Sequence, residues 1–285
     1  MFKFDESLKG QHIGNGTYGH VFKYGVNDVV KIILAIPISD LNQYLKEVII
    51  GVSCNHSAIM QTSGFCLKRI DSEQEEKFDI CLRMARRKSD LKHLIEERKK
   101  KNKYFSQNEV VIIFYKLVSA LHYFFERRIA HRDIKPANIL LDDLDNICIS
   151  DLGCAQLVYK GETSKSLSST EGTKKYMAPE LLNIQRKLRK KDLFPADVWS
   201  TGITIIEVCL LEFISFSEID NNNDKIKKIN QIYKLIEVKY GELIAYLIQQ
   251  MVQWELNKRP QPKVICEYLS ANFPGILVTI EKRIN

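Results

Sequence analysis

The sequence has no uncharged apolar run of about 18 residues, the length that would read as a membrane-spanning helix. Its most apolar segment, Ile203–Phe216, is interrupted by Glu207 and Glu212 and reads as a buried helix. The opening residues Met1–Glu6 lack the basic-then-apolar order of a secretory leader. Seven cysteines are scattered without the paired spacing of a metal site, so the expectation is reduced, buried thiols and a cytoplasmic or nuclear location. There is no internal repeat and no long low-complexity linker. The nearest to one, residues 219–225 with three consecutive asparagines, reads as a surface loop.

What is present is an ordinary globular composition: 285 residues, 45% hydrophobic and 27% charged, enough for one large domain or two lobes. The net charge is +7, much of it in three basic runs at 83–88, 98–103 and 186–191. Long cations on a solvated surface explain most such runs. The sharper expectation is a patch for acidic or phosphorylated partners. No recognition motif accompanies the charge, so nucleic acid is not expected as a partner.

The chain is organised around His131-Arg132-Asp133-Ile134-Lys135-Pro136-Ala137-Asn138, with a second acid, Asp151, thirteen residues after Asn138. Moving a phosphoryl group needs an acceptor for the incoming hydroxyl's proton, oxygen ligands for a divalent metal and a cation near the transferred phosphate. The stretch holds each of these. It closely resembles the protein-kinase catalytic loop, H-R-D-x-K-x-x-N, of the eukaryotic-type serine/threonine class. The resemblance extends over about residues 8 to 268.

Upstream, Ile13 opens a stretch with Gly14, Gly16 and Gly19, which let backbone approach phosphates. Such a glycine triplet alone is weak, since dinucleotide folds carry it before a helix. Here the sequel is Val21–Tyr24, a turn at Gly25 and Asn27-Asp28, then Val29–Ile33, which predicts strand, turn, strand. The resemblance implies a phosphate-covering hairpin with Ile13, Val21 and Val29 toward the nucleotide. It also implies Lys31 on the ATP phosphates and Glu47, within a helix predicted over 41–52, as the partner of Lys31. Residues 78–82 alternate like a strand, and a hinge is expected near 82–88. Arg83 stands there where relatives often carry a glutamate, a departure that blurs the hinge alignment. Asp90 is expected to cap one helix, and Ser106 with Glu109 has capping-box spacing ahead of a long one.

By the resemblance, Asp133 accepts the substrate proton, Lys135 neutralises developing charge, and Asn138 and Asp151 ligate Mg²⁺. A lysine at 135 is typical of serine/threonine rather than tyrosine kinases. Leu152 replaces the phenylalanine of the common D-F-G, altering packing around Asp151 and Gly153. Arg132 is expected to grip a phosphorylated activation segment, with Ser169 and Thr170 the favoured sites. Phosphorylation there adds roughly −1.5 to −2 charges. Ala178-Pro179-Glu180 ends that segment. Glu180 is expected to pair with Arg259, and Asp197 to hold amides of the catalytic loop.

The implied fold is α+β and bilobal: an N-lobe of antiparallel sheet plus one main helix at about 1–84, and a larger, mainly helical C-lobe at about 85–285, one kinase domain in all. ATP with Mg²⁺ is expected between the lobes, and a protein serine or threonine as the substrate. Two rival readings accompany this one: a scaffold that keeps the fold without transfer, and a dual-specificity enzyme.

Overall fold

A computed structural model describes residues 2–16, 18–70, 76–159, 171–182, 189–214 and 222–276. The chain forms two compact units, Met1–Lys88 with Leu140–Gln156, and Ser89–Ile139 with Leu157–Asn285. The sequence placed a division near 84; here it follows Lys88, and the segment around Asp151 belongs to the first unit.

The first unit is built on an antiparallel sheet of β1 (Lys9–Asn15), β2 (His20–Tyr24), β3 (Asp28–Pro37), β4 (Thr62–Ile70) and β5 (Lys77–Ala85), in spatial order β1-β2-β3-β5-β4. Gly25, at φ +61°, makes the tight turn between β2 and β3 that a side chain would strain. Alternation along β3 sorts its residues onto two faces. Val30 and Ile32 join Tyr24 and Cys81 on one face, covered by Phe2 and Phe4 from the N-terminal segment. Phe4 stacks on Tyr24 at 5.6 Å. Ile33 shares the other face with Ile80 and Leu82, and there α1 (Leu41–Ser53) packs through Val48, with Leu41, Tyr44 and Leu45 beside it. Burying each such side chain contributes about 1.5–3 kcal/mol.

Helix α1 lies close to β4. A β-carbon on Gly51 would fall 2.3 Å from Thr62 Oγ1. Gly51→Ala should gain about 1 kcal/mol of helix propensity but lose about 1–3 kcal/mol to overpacking. The expected net result is a Tm about 2–4 °C lower in a thermal melt. A raised Tm would show that α1 can move off β4 freely.

The second unit is mainly helical: α2 (Leu91–Lys100), α3 (Gln107–Glu126), the single turn α4 (Pro179–Leu182), α5 (Leu193–Leu210), α6 (Asn222–Tyr240), α7 (Glu242–Met251) and α8 (Pro262–Asn272). Asp90 caps α2 by accepting from the His93 N–H at 2.9 Å. The capping box of Ser106 and Glu109 starts α3, and Val110, Phe114, Leu117 and Val118 form its buried stripe. Helix α5 is buried almost throughout. It ends at Leu210 because Leu211 turns left-handed at φ +56°, so the expected helical run to residue 216 stops short. Glu207 lies inside this apolar helix for a specific reason. Its carboxylate accepts from Tyr176 Oη at 2.9 Å and from the Ile214 N–H at 2.9 Å, and pairs with Lys175 at 3.0 Å. Burial nevertheless pushes the Glu207 pKa up, against the pull of Lys175.

By length and composition Gln107–Glu126 and Lys190–Leu210 could each cross a bilayer; the apolar window of the second is 89% buried in the fold and that of the first 50%. The basic runs carry partners of their own. Arg83 faces Asp28 at 3.8 Å and Lys88 faces Asp145 at 3.5 Å in the first unit, and Arg98 meets Glu109 at 2.5 Å in the second. Residues 186–188 of the third run lie outside the described residues.

Candidate functional site

In the first unit the glycine stretch forms the β1–β2 hairpin. Gly14 pairs with Val21 and Asn15 with His20, and the Gly16 N–H donates to Gly19 O at 2.8 Å. No helix follows; the chain goes from β2 into β3. Close approach to backbone requires glycine at 19, and Gly16 lies against the end of the Lys31 side chain. A β-carbon on Gly19 would lie 2.7 Å from Ile32 O, and one on Gly16 would lie 2.9 Å from Lys31 Cε. Val21 stands opposite Lys31 in the β2–β3 register, so Val21, Val29 and Lys31 share one face of the sheet. Ile13 is 45% exposed on β1.

Lys31 is 3% exposed at the centre of the sheet. Its Nζ donates to Glu47 Oε1 at 2.6 Å and to Asp151 Oδ1 at 2.9 Å. Burial alone would lower the lysine pKa, but the two carboxylates hold it above its ordinary value. Burial pushes Glu47 up while Lys31 pulls it down. The Lys31 ammonium at 2.6 Å is the interaction that opposes the effect of burial on Glu47. Each partner reaches the lysine by a different route. Glu47 projects from α1. Asp151 follows the short strand Ile147–Ile149, whose Ile149 N–H donates to Ala58 O at 2.9 Å and whose Ile149 O accepts from the Met60 N–H at 2.8 Å. Asp151 is left-handed at φ +60°, a conformation that aspartate enters more readily than most residues with a side chain. Leu152 is buried, and the turn it begins, Leu152–Cys154, packs beside α1. A β-carbon on Gly153 would lie 2.8 Å from the Tyr18 ring.

In the second unit the loop 131–138 is a dense polar cluster. Asp197, in α5, accepts from the His131 N–H at 2.7 Å and the Arg132 N–H at 2.8 Å. Complete burial raises its pKa, and the two backbone donors oppose that shift. His131 is fully buried, and its Nδ1 accepts from the Asp133 N–H at 3.2 Å. Asp133, 4% exposed, is surrounded by donors. Its Oδ2 accepts from Lys135 Nζ at 2.7 Å and Asn138 Nδ2 at 2.9 Å. Its Oδ1 accepts from the Thr173 N–H and the Thr173 hydroxyl, both at 2.8 Å. Lys135 Nζ also donates to Thr173 Oγ1 at 2.6 Å.

Thr173 therefore touches both Asp133 and Lys135, a role that no expectation from the sequence gave it. Its position directly after Gly172, four residues ahead of the Met177–Glu180 run, was the available signal. Gly172 has φ +106°, and a β-carbon there would lie 2.4 Å from Arg132 O, so only glycine fits. Arg132 itself is left-handed at φ +71°. Its Nη1 meets Glu171 Oε2 at 2.5 Å, a pairing that the sequence reading did not foresee. Ser169 and Thr170 lie outside the described residues. Glu180 and Arg259 form a bidentate pair at 2.6 and 2.8 Å with both side chains fully buried.

The structure thus gathers Lys31, Glu47 and Asp151 in the first unit. In the second it gathers Asp133, Lys135 and Asn138, and separately Glu180 with Arg259. Asp151 and Asn138 offer hard oxygen donors, the type suited to Mg²⁺. That ion binds through one or two protein ligands plus phosphate and water and needs no dedicated cage. Among the described residues no group of three or more histidine, cysteine, aspartate or glutamate side chains is arranged around a metal position.

A family model described as the protein kinase domain matches residues 8–270. Mitogen-activated protein kinase kinase kinase kinase 3 of Rattus norvegicus is 30% identical over 209 residues, 71% of this chain and 22% of that protein. Mitogen-activated protein kinase kinase kinase 1b of Physcomitrium patens is 31% identical over 215 residues, 72% of this chain and 26% of that protein. The probable serine/threonine-protein kinase nek1 of Dictyostelium discoideum is 26% identical over 281 residues, 91% of this chain and 54% of that protein. This chain spans only 22–26% of the length of the first two relatives.

Proposed function

We propose, because this chain belongs to the protein kinase family, that it transfers the terminal phosphoryl group of ATP to serine and threonine hydroxyls of protein substrates. The observation that carries the reading is the setting of Asp133, a carboxylate fixed by Lys135, Asn138 and Thr173. In this reading Asp133 orients the substrate hydroxyl and takes its proton as the oxygen bonds to phosphorus and ADP leaves. Lys135 places a cation beside that carboxylate, where charge develops on the transferred group. Lys31, aimed by Glu47 and Asp151, donates to phosphate oxygens. Mg²⁺, when bound, neutralises phosphate charge, and Asp151 and Asn138 are the residues that would hold it. The preference for serine and threonine over tyrosine is supported by Lys135 and by the names of the relatives.

The net charge of +7 favours acidic or phosphorylated protein partners, and the reading requires neither nucleic acid nor a membrane. Seven cysteine thiols, five of them buried, suit a reducing compartment, the cytoplasm or nucleus.

The test is transfer of radiolabelled phosphate from ATP to a generic protein substrate, followed by phosphoamino-acid analysis. Phosphoserine and phosphothreonine are expected; phosphotyrosine beside them would favour the dual-specificity alternative. Lys31→Met should lower the rate about a hundredfold, the scale of removing one preorganised electrostatic contact. A Lys31→Met enzyme that keeps more than about a tenth of the wild-type rate would remove that lysine from the mechanism.

A further inference from the structure

We infer that Glu171 is a built-in counter-ion that docks the end of the activation segment onto Arg132, so that the catalytic loop is ordered without phosphorylation. The inference rests on the kinase reading above and concerns how that site is regulated.

Three successive residues, Glu171, Gly172 and Thr173, lie along the loop 131–135. Glu171 Oε2 meets Arg132 Nη1 at 2.5 Å. Gly172 approaches Arg132 O so closely that a β-carbon would be 2.4 Å from it. Thr173 donates twice to Asp133 and accepts from Lys135. The Arg132 side chain is only 6% exposed, and Glu171 is 30% exposed. A guanidinium that far from water is costly unless an anion compensates it. Glu171 provides that anion from within the chain, as a charge-assisted contact of the strong class. The same Arg132 donates its own N–H to Asp197 and holds a left-handed backbone directly before Asp133. Glu171 is therefore a positioning residue: it acts on Asp133 through Arg132 and through the register of Thr173. A phosphate at a nearby hydroxyl would bring a second anion to a cation that already has one.

The experiment uses the full chain, treated to completion with a protein phosphatase, and the isosteric variant Glu171→Gln. Dephosphorylated wild type should keep its kcat within about twofold. Glu171→Gln keeps the shape and removes the charge, and should lower kcat about tenfold, the scale of trading a charge-assisted hydrogen bond for a neutral one. KM for ATP should stay within about twofold and Glu171→Asp should recover part of the loss. Wild type that loses most of its activity on dephosphorylation would overturn the proposal, as would a Glu171→Gln enzyme at full kcat. Amide exchange at Thr173 reads the docking without any turnover. Faster exchange in Glu171→Gln supports the proposal and equal exchange overturns it. Absence of transfer in every sample would sink the kinase reading, and the exchange result would still decide the role of Glu171.

Discussion

Asp133→Asn is expected to lower kcat by about three orders of magnitude, within the range a positioned proton acceptor contributes, while leaving KM for ATP within about twofold. The substitution keeps the shape of the side chain, so the loss reports chemistry more than packing. Two effects combine. The amide no longer accepts the substrate proton. It also cannot satisfy its surroundings, because Lys135, Asn138 and Thr173 all present donors to the two carboxylate oxygens. One of those positions must become an NH₂ facing another donor, either the ammonium of Lys135 or the amide and hydroxyl of Thr173. Some thermal stability should therefore be lost along with the rate. Steady-state kinetics on a serine- or threonine-containing substrate, with a melt of the same preparation, separate the two effects. If the variant retained a tenth of wild-type kcat, Asp133 would not be the base.

Arg259→Met should be the most destabilising single change, costing about 3–5 kcal/mol, the range for breaking a buried ion pair from one side. At about 2–4 °C per kcal/mol this means a Tm lower by roughly 10 °C. The guanidinium binds Glu180 through both Nη atoms. It also donates to Gln253 O at 2.7 Å and to Pro195 O at 3.0 Å, and lies 5.0 Å over the Trp199 ring. Removing it leaves a fully buried carboxylate without its cation and three carbonyls, of Gln253, Pro195 and Trp254, without that donor. Glu180→Gln is milder, because Arg259 keeps its carbonyl partners and a neutral hydrogen bond. The order of the two losses is thus a sharper test than either magnitude. In a double-mutant cycle the pair should couple strongly, since each single change strands the other partner. Two variants that melt within a degree or so of wild type would mean that Glu180 and Arg259 do not hold the second unit together.

Local chemistry made much of the fold legible. The Ser106–Glu109 capping box and the Asp90 cap were readable because caps involve neighbours three residues apart. The β2–β3 hairpin was readable from β-branched and aromatic runs on either side of Gly25 and Asn27-Asp28. Glu207 was harder. Along the sequence it looks like a charge interrupting an apolar helix, whereas its meaning lies in Lys175 and Tyr176, which approach from another segment. The end of α5 was unreadable for a related reason. Leu211 is left-handed, a conformation that no residue-type preference of leucine suggests.

By itself the sequence determined which chemical groups exist and in what order: an acid in H-R-D, a lysine within a strand, and an arginine far downstream of Ala178-Pro179-Glu180. Those are properties of residue type and short spacing. The resemblance already implied Glu47 for Lys31 and Glu180 for Arg259, and tertiary structure added the partners that no motif names. Lys31 finds Asp151 across 120 positions, and Arg132 finds Glu171 across 39. The physical reason is that a buried charge is satisfied by whatever opposite charge the fold brings within about 3 Å, and long side chains leave that choice open until the backbone is in place.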